Sequence, residues 1–186
     1  MLAGGDSRRM GSDKADVVYE STPLLDRAVR LVEPLADRVL VVGRHVPDGR
    51  FAAVEAHLDA CPNAGPLGGI ATALKLSAPH ACLIVPCDMP LLTQDLLRRL
   101  IQACVGEVDC ALVDNPMRGR LEPLVGVYAA RCLPPMEQAI AAGRLAIWRT
   151  LKLLTVHGVT VPDDQRDQLV NLNTPRDLSG SRTSGS

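Results

Sequence analysis

Residues 23–35 place Leu24, Leu25, Ala28, Val29, Leu31, Val32 and Leu35 at helical spacing behind Pro23, a residue suited to a first turn, and so predict a helix. Elsewhere the pattern changes to short apolar runs. Residues 38–43, rich in β-branched side chains and ending in Gly43, and residues 81–86, ending in Pro86, predict strands buried on both faces. Between them residues 67–76 read as helical. Residues 93–105 open on Thr93, a good N-cap, and carry Leu96, Leu97, Leu100, Ile101 and Ala103, which predicts a helix directly after the turn at Asp88. Further strands fit residues 109–113, 124–128 and 154–161, and further helices fit 134–142 and 145–153. Such alternation implies an α/β domain with a largely parallel sheet, whose ligands sit at the C-terminal ends of the strands. The turn after the first strand and Asp88 after a central one should then face a single crevice.

Composition narrows this picture. A chain of 186 residues with 47% hydrophobic content suits one domain with a substantial core, and only 2% aromatics means a core built from Val, Leu, Ile and Ala. Residues 1–178 read as that domain. The polar, low-complexity stretch 179–186 reads as a disordered tail. A formal charge of -1 with both signs interspersed gives no reason to expect nucleic acid or a membrane as partner. No long apolar run spans a bilayer and no signal peptide precedes the first motif, so a cytoplasmic location is expected. Six cysteines without paired metal-site spacing read as reduced packing residues, against the alternative that Cys87 is a thiol ligand or nucleophile. The four histidines show no ligand spacing either.

The chemistry concentrates at the start, Met1-Leu-Ala-Gly-Gly-Asp-Ser-Arg-Arg-Met-Gly-Ser-Asp-Lys-Ala15. Gly4, Gly5 and Gly11 permit backbone N–H groups to approach phosphate oxygens, and Arg8, Arg9 and Lys14 supply neutralising charge. A nucleoside triphosphate is the natural ligand for such a cradle. It lacks the Gly-Lys-Ser/Thr ending of a Walker A loop and the dinucleotide Gly-x-Gly-x-x-Gly, so another class of nucleotide enzyme is implied. Asp88, after a buried strand and before Met89-Pro90, reads either as a turn residue or as a carboxylate for a hard cation. Asn171 and Asn173 read as turn residues or as amides able to donate and accept at once. Asp59 by itself reads as a solvated helix-end carboxylate.

The order of these residues carries more. Leu2-Ala-Gly-Gly-x-Ser-x-Arg-Met-Gly-x-Asp-Lys14 resembles the signature of the nucleotidyltransferases that activate the molybdenum cofactor, and within them the guanylyltransferases. Gly65-Pro66-Leu67-Gly68-Gly69-Ile70, Pro86-Cys87-Asp88-Met89-Pro90, Glu122-Pro-Leu-Val-Gly-Val-Tyr128 and Asn171-Leu-Asn-Thr-Pro-Arg-Asp-Leu178 resemble the later motifs in the same order. The resemblance implies a three-layer, Rossmann-like nucleotidyltransferase fold with a mostly parallel central sheet. It also implies transfer of GMP from GTP to the terminal phosphate of molybdopterin, with release of pyrophosphate. Leu2, Ala3, Gly4, Gly5, Lys14, Asp59, Gly65, Pro66, Leu67 and Asp88 would contact the nucleotide, with Pro66 and Leu67 as apolar contacts. Arg9 and Lys14 would clamp the triphosphate, Asp88 would hold Mg2+, and Asn171 and Asn173 would face molybdopterin. Molybdoenzyme-maturation proteins become expected partners. Because Leu-Ala-Gly-Gly starts at position 2, the first strand is expected to be truncated, leaving its neighbours with unpaired backbone groups. The alternatives are a cytidylyltransferase of the same cofactor, a sugar-phosphate nucleotidyltransferase, and an inactive nucleotide-binding relative.

Overall fold

The computed structural model describes residues 1–3, 14–47, 50, 51 and 53–172, and of Lys14 only the backbone. A hairpin of β1 (Val18–Tyr19) and β2 (Thr22–Pro23) leads into α1 (Leu24–Val32), followed by β3 (Val39–Val42), β4 (Val54–His57) and α2 (Gly65–Ser77). Then come β5 (Cys82–Ile84), α3 (Gln94–Ala103), β6 (Cys110–Asn115) and β7 (Arg120–Tyr128). The last elements are α4 (Leu133–Ala141), α5 (Ile147–Leu151) and β8 (Val156–Thr160).

Two ladders make up the sheet. β3 pairs with β4 in parallel, while β5, β7, β6 and β8 lie side by side in that order. Leu2 joins the ladders through parallel bridges to Val42 on one side and Pro86 on the other. The composite order is therefore β4, β3, residues 1–3, β5, β7, β6, β8. β7 runs antiparallel to both neighbours, and every other pairing in this composite sheet is parallel.

Burial on both sides explains why the strands read as unbroken apolar runs. On β6, Ala111 and Val113 pack with Leu25, Val29, Leu96 and Leu100 of α1 and α3, while Cys110 and Leu112 pack with Ile70, Leu74 and Met136 of α2 and α4. Neither face meets water, so a strand gains nothing from polar alternation. The result is a three-layer α/β domain with a mostly parallel sheet, as expected. α1 buries one stripe, Leu24, Leu25, Ala28, Val29 and Val32. α3 starts at Thr93, whose hydroxyl accepts from the Leu96 N–H and donates to Gln168 Oε1 at 2.7 Å.

Three features differ from the sequence reading or extend it. β4 went unseen because its burial is partial, intermediate at Val54 and His57 and exposed at Glu55 and Ala56, which leaves no apolar run. β7 begins at Arg120, before the expected residue 124, because a hairpin after Asn115 lengthens the pair; the register shifts between Leu112 and Val113. α5 is shorter than the expected 145–153.

The described residues 1–3 form a short stub between β3 and β5, with Leu2 bridged to both sides. The Met1 amine donates to Leu40 O at 2.7 Å, Val42 N–H to Met1 O at 2.9 Å, Leu2 N–H to Val85 O at 3.0 Å and Ala3 N–H to Val42 O at 2.9 Å. Beneath it a groove of about 260 Å³ opens between β3 and β5, lined by Met1, Val39, Leu40, Cys82, Leu83 and Val127 among others. Burial disfavours the ammonium and holds the Met1 amine below its ordinary pKa. All six cysteines are free thiols. Among the described residues no helix is long and apolar enough to cross a membrane.

Candidate nucleotide site

Strand order reverses at the stub, because β3 leaves it on one side and β5 on the other. In an open α/β sheet the crevice beyond the carboxyl ends of strands at such a point is where ligands bind, since the chain departs in opposite directions and leaves a gap. Ala3 is the last described residue before that gap. Its N–H is committed to Val42 O, which fixes its position. Gly4, Gly5 and Arg9 lie outside the described residues, as does Asn173.

The chain re-emerges at a short helical turn, Lys14–Asp16, which is anchored by charge. Asp16 accepts from Arg44 at 2.8 Å and from Arg50 at 2.7 Å, and Arg50 also reaches Asp26 of α1 at 2.6 Å. The two arginines hold the Asp16 carboxyl below its usual pKa. This cluster ties the exit of the glycine-rich segment to the loop after β3 and to α1. The sequence offered no sign of it, because its members are separated by as many as 34 residues and each reads as an ordinary solvated charge.

On the other flank of the stub stands the start of α2. Gly68 is needed there: a Cβ would lie 2.4 Å from Cys61 O and 3.0 Å from Ala64 Cβ, so the 61–64 turn can approach the helix only because no side chain intervenes. A Cβ on Gly69 would meet Leu2 Cδ2 at 3.3 Å and Asp59 Oδ2 at 3.9 Å. Asp59 thus reaches the same place as Leu2 and the first turn of α2. Gly65 and Pro66 are exposed beside it. The Leu67 side chain is fully buried with Ile70 and Leu74.

Asp88 follows β5 on the far side of the stub. Its carbonyl accepts from Leu172 N–H at 2.8 Å, which brings the C-terminal segment against the turn after β5. Leu172 packs with Tyr19 and Leu24, so Asn171 is held next to that turn, and its buried Oδ1 takes no hydrogen bond among the described residues. Asp88 and Asn171 are therefore neighbours in space. Among the described residues no group of three or more His, Cys, Asp or Glu side chains could enclose a metal ion.

Residues 1–158 match the family of MobA-like NTP transferase domains. The chain belongs to that family. A probable molybdenum cofactor guanylyltransferase of Chloroflexus aggregans is 34% identical, over 96% of this chain and 89% of its own length. A molybdenum cofactor guanylyltransferase of Pseudomonas putida is 33% identical over 96% and 93%. Among solved structures, the molybdopterin-guanine dinucleotide biosynthesis protein A of Archaeoglobus fulgidus superposes with a TM-score of 0.80 at 26% identity, covering 96% of this chain and 93% of that one. The 2-C-methyl-D-erythritol 4-phosphate cytidylyltransferase of Thermus thermophilus, at 16% identity and TM-score 0.68, shares the fold. This MobA-like domain thus has the nucleotidyltransferase architecture that its motifs implied.

Proposed function

We propose that this MobA-like protein is a molybdenum cofactor guanylyltransferase, which transfers GMP from GTP to the terminal phosphate of molybdopterin and releases pyrophosphate. The observation that carries the reading is the arrangement around the stub. Leu2 and Ala3, Asp59 with the start of α2, and Asp88 with Asn171 come from distant parts of the chain to the surroundings of residues 1–3, which supports a single ligand crevice there. The Pseudomonas putida relative is named a molybdenum cofactor guanylyltransferase and the Chloroflexus aggregans one a probable molybdenum cofactor guanylyltransferase, and both match along nearly their whole length, which supports the reading.

Nucleophilic attack by a phosphate on the α-phosphorus of GTP needs no acyl- or phosphoryl-enzyme intermediate. The attacking oxygen is already anionic, so the protein's work is to align two polyanions and offset their charge. Gly4 and Gly5 would donate N–H groups to phosphate oxygens, and Arg9 and Lys14 would clamp the triphosphate, with the Asp16 cluster fixing the segment that carries Lys14. Asp59, Gly65 and Pro66 would border the base, and Asn171 and Asn173 would face molybdopterin.

A single carboxylate suits Mg2+, which keeps several waters and takes its remaining oxygens from substrate phosphates. Asp88 would hold the ion, which supplies charge neutralisation at the triphosphate when bound. Residues 1–178 would form the catalytic domain, acting in the cytoplasm with molybdoenzyme-maturation proteins as partners.

The test is calorimetry of GTP, CTP and ATP binding in the presence of Mg2+, followed by an assay for the guanine dinucleotide product. Preference for GTP and formation of that product are expected. Preference for CTP would move the assignment to the cytidylyltransferase, and absence of binding by folded protein would leave an inactive relative. Lys14→Ala should weaken GTP binding by about tenfold or more, the loss expected for one charge-assisted hydrogen bond.

A further inference from the structure

Asp59 is held by a side chain that no motif singled out. Thr72, in the second turn of α2 and only 6% exposed, donates its hydroxyl to Asp59 Oδ1 at 2.9 Å. The same hydroxyl oxygen accepts from Ala60 N–H at 3.1 Å, and Cys61 N–H donates to Asp59 Oδ1 at 2.8 Å. Oδ1 is thus engaged twice. Among the described residues no hydrogen bond reaches Oδ2, which lies 3.9 Å from where a Cβ on Gly69 would stand, next to Leu2. The carboxylate is pinned by Oδ1, and Oδ2 lies on the side of Gly69 and Leu2.

We propose that Thr72 is a positioning residue for base selection: by fixing Asp59 Oδ1 it aims Oδ2 at the base, where it accepts from the N1–H and 2-amino edge of guanine. This rests on the guanylyl reading above and deepens it. A carboxylate oxygen accepts but does not donate, so it favours a purine edge bearing two donors. Adenine presents a bare nitrogen acceptor there and no amino group at C2, and would leave the carboxylate facing a lone pair. Fixed orientation is essential to that discrimination, because a carboxylate free to rotate can turn toward solvent or toward another donor. The hydroxyl of Thr72 does what neither alanine nor valine can: it donates to Asp59 and accepts from Ala60 at once.

The experiment compares wild type, Thr72→Val, Thr72→Ser, Asp59→Asn and the Thr72→Val/Asp59→Asn double variant. Affinities for GTP, ITP and ATP are measured by calorimetry with Mg2+, alongside melting temperature. Valine keeps the volume and removes the hydroxyl, and serine restores the hydroxyl. Wild type should prefer GTP to ATP, Thr72→Val should lose about tenfold of that preference, and Thr72→Ser should retain it. ITP lacks the 2-amino group, so Thr72→Val should also narrow the GTP-to-ITP gap. In the Asp59→Asn background the valine should add little, since it acts through Asp59. Thr72→Val with an undiminished preference for GTP overturns the inference and leaves the guanylyl reading standing. A wild type indifferent between GTP and ATP overturns both. Should Thr72→Val fail to fold, the cycle is run with Thr72→Ala. Equal losses for all three nucleotides, with the GTP-to-ATP ratio unchanged, would show a purely structural role and sink the proposal.

Discussion

The two sides of the sheet are built differently. On the first, residues 1–3 and the four-residue strands β3 and β4 are joined by parallel pairing throughout. On the second, β7 with nine residues and β6 with six pair antiparallel around a bulge, with β5 and β8 alongside. Most residues assigned to the nucleotide lie on the first side or lead out of it, whereas the second is mainly core. Short ladders with open ends leave room for a ligand and for backbone N–H groups that are not already paired, and long ladders resist opening. Asp88 and Asn171 lie on the seam between the two.

The seam should be the most sensitive point. Asp88→Ala should reduce Mg2+-dependent GMP transfer by about a hundredfold or more, the scale of losing a charge-stabilising group. Its melting temperature should stay within about 2 °C of wild type, as for substitutions outside the core. Full activity in this variant would remove Asp88 from the site.

A paired glycine experiment contrasts the sides directly. At Gly126 on β7 a Cβ would lie 2.4 Å from Leu112 Cδ2 and 2.6 Å from Ala111 O, and at Gly68 a Cβ would strike Cys61 O. Gly126→Ala should cost about 1–3 kcal/mol and lower the melting temperature by about 2–12 °C, with GTP affinity of the folded protein unchanged. Gly68→Ala should also weaken GTP binding, by about tenfold, because the displaced 61–64 turn carries Asp59 with it. Equal effects of the two on affinity would erase the division of labour.

The smallest expected effect belongs to the stub. Burial makes the folded chain bind a proton at the Met1 amine less readily than the unfolded chain, whose value is near 8.0. Between the lowered folded value and 8.0 the unfolded state takes up more proton, so stability should rise with pH across that window and level off above it. The slope should not exceed about 1.4 kcal/mol per pH unit. Melting scans from about pH 6 to 9 test it, and an N-acetylated chain, which has no amine to titrate, should lack the rise. An identical rise in both would assign it elsewhere.

How much of this was legible follows from the kind of signal each element leaves. α1 and α3 were visible because one buried stripe at helical spacing and, for α3, a Thr cap are local facts. β3 and β5 were visible as apolar runs covered on both faces. β4 was hidden because an edge strand with exposed Glu55 and Ala56 needs no such run. The motifs identified the family, whereas the burial of Leu67 on the inner side of α2 shows only in the packed structure.

By itself, then, the sequence determined the layer architecture and the family, since periodicity, composition and ordered motifs are written in local residue choice. Tertiary structure alone decided the antiparallel course of β7, the bridging of both ladders by Leu2, the arginine pair that anchors Asp16 and the grip of Thr72 on Asp59. Each of these joins residues far apart in the chain through backbone register or a few directional hydrogen bonds. Such contacts leave no periodic trace, because a single threonine or arginine reads the same whether it faces water or holds a site together.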